Sequence, residues 1–112
     1  MYQLIALFRP PADPSAFERA YWETHVPLAK KIPGVLSLDV SKIIPGRDGT
    51  SKYYQVAVLN FADKDSFKAA MKSDENAKAG ENLMTFARDL VEFYSAEKVD
   101  HSMLPLNLEE RI

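Results

Sequence analysis

Cysteine is absent from this chain of 112 residues. Its absence excludes disulfide scaffolds, thiol nucleophiles and thiolate metal sites. Histidine occurs only twice, at His25 and His101. The two lie on distant elements with no ligand spacing, so we expect no metal site, and His101 is expected to face solvent in a polar stretch. A cytoplasmic location is the default expectation.

Long apolar runs and basic stripes are also missing. No run approaches the roughly 18 apolar residues of a membrane span. The first eleven residues are apolar but lack a basic start, so they are interpreted as a strand and not as a signal peptide. The net charge is −2 with 14 scattered Lys and Arg residues, which argues against nucleic acid as a partner. With 46% apolar residues, residues 1–112 are predicted to form one globular domain ending in a tail, 100–112.

Apolar periodicity and turn residues predict the order strand, helix, strand, strand, split helix, strand. Asp13 followed by Pro14 is typical of a helix start, and Pro33-Gly34 of a helix end. Along the second strand, the apolar side chains Leu36, Leu38, Val40 and Ile44 are predicted to share one face. The predicted strands are Tyr2–Phe8, Val35–Ile44, Lys52–Phe61 and Leu90–Val99; the helices are Pro14–Lys31, Asp63–Lys72 and one from Ser73 or Asp74 to about Asp89.

This order is that of the ferredoxin-like βαββαβ fold, an α+β class with a four-stranded antiparallel sheet and helices on one face. The strands nevertheless carry apolar residues on both faces. For example, Ile5 and Leu7 are expected on the face of the sheet opposite to that of Leu4 and Phe8. A bare apolar sheet face is seldom left to water, so the sequence predicts a homodimer joined through its sheet faces.

The segment Ala20–Gly34 carries His25 and, two residues later, Pro27. At 100° per residue, the sheet-facing arc of the helix contains Phe17, Tyr21, Thr24, Leu28 and Ile32, with His25 at its edge. Pro27 removes a backbone donor and crowds the preceding turn, at a typical cost of about 3 kcal/mol. We therefore expect a kink or widened turn beside His25 that opens a notch next to a partly buried imidazole.

The segment Phe17–Val35 resembles the signature segment of the EthD family. That family takes its name from a protein encoded with an ether-degrading monooxygenase system. The resemblance extends over about residues 2–99 and implies a dimeric α/β barrel, in which two ferredoxin-like sheets pack face to face. The matching positions are Tyr21, Trp22, His25, Pro27, Leu28, Pro33 and Gly34.

Relatives in the wider group include muconolactone-type isomerases, cofactor-free monooxygenases, polyketide cyclases and haem-degrading enzymes. The resemblance implies a small apolar or aromatic ligand between helices and sheet, no cofactor, and His25 as a general acid or base. Isomerases of this kind pair the histidine with a tyrosine on the second strand, where this chain has Leu38; Tyr21, Tyr53 and Tyr54 are possible substitutes. The residues expected to line the ligand site are Tyr21, Trp22, Leu38 and Phe86.

Two readings stay open at this point. In the first, the chain is a cofactor-independent oxidoreductase or isomerase that moves a proton through His25. In the second, it is a non-catalytic dimeric accessory protein or ligand carrier, and His25 with Pro27 only shapes the fold. A haem-degrading function is not expected, because residues 63–89 contain no histidine that could act as an axial ligand.

Overall fold

Four antiparallel strands form one sheet in the computed structural model, which describes residues 1–99. The predicted tail, with His101, lies outside the described residues. The spatial order β2-β3-β1-β4 places β1 and β3 at the centre and is that of the ferredoxin-like α+β fold. The strands are β1 (Tyr2–Phe8), β2 (Val35–Lys42), β3 (Gln55–Phe61) and β4 (Val91–Glu97).

The helices begin where the sequence provides capping side chains. Asp13 accepts a hydrogen bond from the Ala16 amide at 3.1 Å, and Asp63 accepts one from the Ser66 amide at 2.8 Å. Ser73 divides the second helical region, which confirms the predicted split. The helices are α1 (Pro14–Ala20), α2 (Val26–Ala29), α3 (Lys64–Met71) and α4 (Asp74–Ala87). Among the described residues, none of the helices is both long and apolar enough to cross a membrane.

A single π-helical turn, Tyr21–His25, joins α1 to α2. The Val26 amide donates to the Tyr21 carbonyl, five residues back, so the turn is wider than an α-helical one. The widened turn expected from Pro27 is thus present. The predicted α-helical arc is wrong at Thr24, which is exposed, because the extra residue moves the buried position to Val26. Further along, Leu28 is partly buried and Ile32 is buried, as predicted.

The two faces of the sheet differ in what covers them. Side chains of β1 and β3 on the helix side form the core, among them Ala6, Phe8, Ala57, Leu59 and Phe61, all buried. On the other side, the register places Ile5 beside Val58 and Tyr94, and Leu7 beside Val56. This confirms that both faces carry apolar residues at the centre of the sheet.

Strand β2 departs from its predicted alternation. A β-bulge between Val35 and Ser37 inserts Leu36 as an extra residue, which is 59% exposed, while Leu38 and Val40 face the helices. The strand ends at Lys42, so Ile44 lies in the following loop and is 88% exposed. Placing all four residues on one face was therefore wrong, because a bulge reverses the side-chain alternation that precedes it.

Candidate functional site

An apolar cavity lies between the π-helical turn, α4 and the sheet. His25 and Tyr21 line it from the turn, and Leu83, Ala79 and Gly80 from α4. Its volume is about 50 Å³, well below the roughly 300–1,000 Å³ of typical ligand pockets. The expected notch beside the imidazole is present, but in this conformation it holds only water-sized molecules. The sheet contributes only apolar side chains: Leu4, Ala6, Phe8, Leu38, Ala57, Leu59 and Phe93.

His25 is partly enclosed at the wall of this cavity. Its Nδ1 atom is buried and has no hydrogen-bond partner among residues 1–99. Burial lowers the pKa of the imidazole, and the Asn82 amide and the Ala79 carbonyl only partly offset that effect. The imidazole is therefore neutral at pH 7, the state in which it can accept a proton.

The lowered pKa of His25 makes stability depend on pH. Between the folded and the unfolded pKa, the unfolded chain binds more protons, so the free energy of unfolding should fall as pH drops below about 6.5. We expect a His25→Leu variant to lose this part of the dependence. Urea unfolding at several values between about pH 5 and 8, at fixed protein concentration, measures it. His101 and all carboxylates are shared by the two proteins, so parallel pH profiles would contradict the prediction.

The predicted ligand-site residues do not all meet at the cavity. Tyr21 and Leu38 line it together with His25. Trp22 is 47% exposed and donates from Nε1 to Glu18 at 2.9 Å, outside the cavity lining. Phe86 touches the His25 ring edge-on at 6.3 Å between centroids. It also lines a separate, wider groove of about 410 Å³ between α4 and the loop after β1.

Of the three tyrosines considered as partners for His25, Tyr21 lies nearest. Its ring centroid is 5.4 Å from that of the imidazole, and burial, followed by the charge of Glu18, raises the pKa of its phenol. The hydroxyl of Tyr54 instead donates to Glu18 at 2.6 Å, and Tyr53 is absent from the cavity lining. Leu38 occupies the predicted second-strand position, so that side of the cavity carries no hydroxyl.

Most of the cavity lining was missed from the sequence, including Gly80 on α4 and Phe93 on β4. Phe93 pairs with Ala6 and faces the helix side, yet it is 48% exposed because β4 is an edge strand. A Cβ atom added at Gly80 would meet nothing within 4 Å. Gly80 therefore borders open space, and Phe93 is a half-exposed part of the cavity lining. Only the strand pairing reveals this, since neither residue has a distinctive sequence signal.

A second polar cluster lies outside the cavity, around Glu18. The ammonium of Lys42 pairs with this carboxylate and donates to Gln55 Oε1 at 2.5 Å. Burial raises the pKa of Glu18, but hydrogen bonds from Lys42, Tyr54 and Trp22 outweigh it and lower the pKa. The bond to Glu18 in turn raises the pKa of Tyr54 to about 12. These contacts hold α1 against β2 and β3, although Nε2 of the buried Gln55 has no hydrogen-bond partner among residues 1–99.

Within residues 1–99, no three His, Asp or Glu side chains are grouped so that they could hold a metal ion. The cavity is lined by one neutral imidazole and one protonated phenol, and apart from the Asn76 amide its other side chains are apolar. Such a pair can exchange a proton with a bound molecule and donate a hydrogen bond to it.

Comparison with known proteins gives one family. Residues 9–95 match the EthD domain. An 11.0 kDa protein of Rhodococcus erythropolis, described as uncharacterized and assigned to the thcB-thcC intergenic region, is 32% identical over 87 residues, which are 78% of this chain and 84% of that protein. The crystal structure of an ethyl tert-butyl ether (EthD) family protein from Bacillus halodurans has a TM-score of 0.84 and 36% identity, over 88% of this chain and 99% of that one.

More distant structures share the fold. A dimeric ferredoxin-like protein from Jannaschia has a TM-score of 0.62 and 17% identity, over 88% of this chain and 100% of that one. A cofactor-independent oxygenase from Streptomyces nogalater has a TM-score of 0.58 and 20% identity, over 93% and 96%. The EthD domain match spans most of the chain, and the Bacillus structure agrees in both fold and sequence. The chain therefore belongs to the EthD family, on a ferredoxin-like fold.

Proposed function

We propose that this EthD protein binds a small, largely apolar molecule beside His25 and exchanges a proton with it. The observation that carries the proposal is the imidazole itself, which is neutral and stands at the wall of a largely apolar cavity between the helices and the sheet.

The ligand requires more room than the cavity of about 50 Å³ provides. We place its entry between Gly80 and Phe93, where displacement of the half-exposed Phe93 ring joins the cavity to the surface. The apolar walls favour an aromatic or lactone ring, and His25 and Tyr21 suit one oxygen substituent on it. Tyr21 stays protonated at neutral pH, so it acts as a hydrogen-bond donor.

Proton removal by His25 would leave an electron-rich anion, the common first step of two reactions. Return of the proton to another atom gives an isomer or a cyclised product. Attack of the anion on dioxygen, which serves as the oxidant, forms a carbon–oxygen bond to a peroxide that takes up the proton; loss of water from this hydroperoxide leaves a carbonyl product. The second route is supported by the fold shared with the cofactor-independent oxygenase. In either case His25 is the catalytic residue.

We also propose that the functional unit is a homodimer joined through the sheet face opposite the helices that the structure describes. The apolar centre of that face, formed by Ile5, Leu7, Val56 and Val58, supports this assembly. The fold shared with a dimeric ferredoxin-like protein supports it as well.

Gly80→Leu tests the ligand site directly. The new side chain should occupy the proposed entry and abolish binding of a small aromatic probe such as a phenol. The variant should fold normally, because a Cβ atom at this position meets open space. Gly80→Ala is the matched control. It should keep the binding and raise the free energy of unfolding by up to about 1 kcal/mol, since alanine favours the helix more than glycine does.

The measurement is a titration of each protein with phenols, quinones and lactones, followed by NMR shifts of His25 and of the backbone. If Gly80→Leu binds as well as the parent, with shifts at the groove beside Phe86, the proposed site is wrong. For any compound that is converted, His25→Gln should lower the rate by at least about 100-fold and leave binding intact. Binding without conversion in the parent protein would identify a ligand carrier instead.

A further inference from the structure

Two buried polar atoms lack hydrogen-bond partners next to the cavity. One is Nδ1 of His25 and the other is Oδ1 of Asn82, and neither has a partner among residues 1–99. They are chemically complementary, because a neutral imidazole carries a hydrogen on one nitrogen and an amide oxygen only accepts.

The packing of α4 brings these two residues together. Asn82 lies one turn before Phe86, whose ring touches the imidazole, and one residue before Leu83, which lines the cavity. The polar groups that α4 presents to the imidazole are the Asn82 side chain and the Ala79 carbonyl. Both offer oxygen, so both favour a hydrogen on the nitrogen that faces them.

We propose that Asn82 is a positioning residue for His25, whose Nδ1–H donates to the Asn82 amide oxygen and whose Nε2 lone pair is thereby left to the ligand. This bond satisfies both buried atoms at once and fixes the tautomer in which Nε2 is the basic nitrogen. The inference deepens the proposed function and rests on it for the identity of Nε2 as the base.

Because Asn82 is a neutral amide, it orients His25 without stabilising a positive charge on the imidazole. A carboxylate in its place would stabilise the imidazolium and raise the pKa of His25. Among residues 1–99, no Asp, Glu, Lys or Arg side chain lines the cavity in its place. On the π-helical turn that carries His25, the titratable group in ring contact with the imidazole is Tyr21. The sheet residues that line the cavity are all apolar. The charged residues flanking Asn82 on α4, Lys78 and Glu81, are exposed.

The tautomer can be read directly by NMR. In a His101→Gln protein, His25 is the one remaining histidine, so its imidazole nitrogens are assigned without ambiguity. Long-range ¹H–¹⁵N spectra recorded above the pKa should show a protonated Nδ1 and an unprotonated Nε2, the opposite of the tautomer that free histidine prefers. Adding Asn82→Ala should reverse this ratio. Asn82→Asp should restore the Nδ1–H form and raise the pKa of His25 above that of the parent.

A dominant Nε2–H form in the His101→Gln protein would overturn the proposal, since Asn82 would then donate its amide hydrogen to Nδ1. An unchanged ratio after Asn82→Ala would overturn it too. If Asn82→Ala does not fold, the parent tautomer and the pKa of the Asn82→Asp protein decide the question. These spectra need no ligand. A correct tautomer with no binding of any phenol, quinone or lactone would refute the proposed function alone.

Discussion

Replacing Ile5 with lysine is expected to convert a homodimer into a monomer. Ile5 lies on the central strand β1, between Val58 on one side and Tyr94 on the other, on the face that none of the helices within residues 1–99 covers. A dimer through this face would bury the new ammonium in an apolar contact without a partner, a cost of several kcal/mol. The helix-side core is untouched, so the monomer should keep its fold and lose stability through lost association.

Sedimentation velocity and light scattering measure the outcome. The parent protein should have twice the chain mass of 12.6 kDa, and the Ile5→Lys protein should have the chain mass. Ala69→Lys, at an exposed position on α3, introduces the same charge on the helix side and should remain dimeric. A parent protein that is monomeric at micromolar concentration would refute the assembly outright.

Truncating Leu83 should cause the largest loss of stability. Leu83 is 2% exposed and packs at the cavity beside His25. Leu83→Ala removes three buried carbon atoms and enlarges an existing void, so we expect the free energy of unfolding to fall by about 2–5 kcal/mol. Leu36→Ala, the same change at a 59% exposed position, should stay within about 0.5 kcal/mol of the parent.

The enlarged cavity gives this prediction a second readout. Small apolar compounds such as benzene should raise the melting temperature of the Leu83→Ala protein more than that of the parent, because the new space is apolar and dry. Denaturant unfolding at one fixed protein concentration measures the first effect, and thermal unfolding with and without benzene measures the second. A loss below about 1 kcal/mol would mean that α4 collapses onto the sheet and closes the void.

The order of elements and the helix starts were readable from the sequence because both depend on local chemistry. Asp13 with Pro14 begins a helix for reasons confined to one turn, and the alternation in β1 follows from the two-residue repeat of a strand. The sequence also predicted that His25 lies at a partly buried edge of the helix. It did not predict the position of His25 around the helix axis, because the π-helical turn shifts the residues after Tyr21 around that axis.

The candidate site shows where such reasoning ends. Leu38 and Tyr21 were expected at the cavity and lie there, whereas Trp22 and Phe86 lie outside its lining. An aromatic side chain has the same composition signal whether it packs in a core, lines a ligand site or covers a surface. Residues without a distinctive pattern, such as Gly80 and Asn82, enter the site only through the packing of α4 against the π-helical turn.

By itself, the sequence determined the strand and helix order, the two-sided apolar sheet and a widened turn beside His25, since periodicity and proline geometry act over a few residues. The tertiary structure alone decided the rest. The bulge that turns Leu36 outward, the place of Phe93 in the cavity lining and the approach of Asn82 to His25 each depend on contacts between segments far apart in the chain. Such contacts are set by which surfaces bury each other, and no local pattern encodes that.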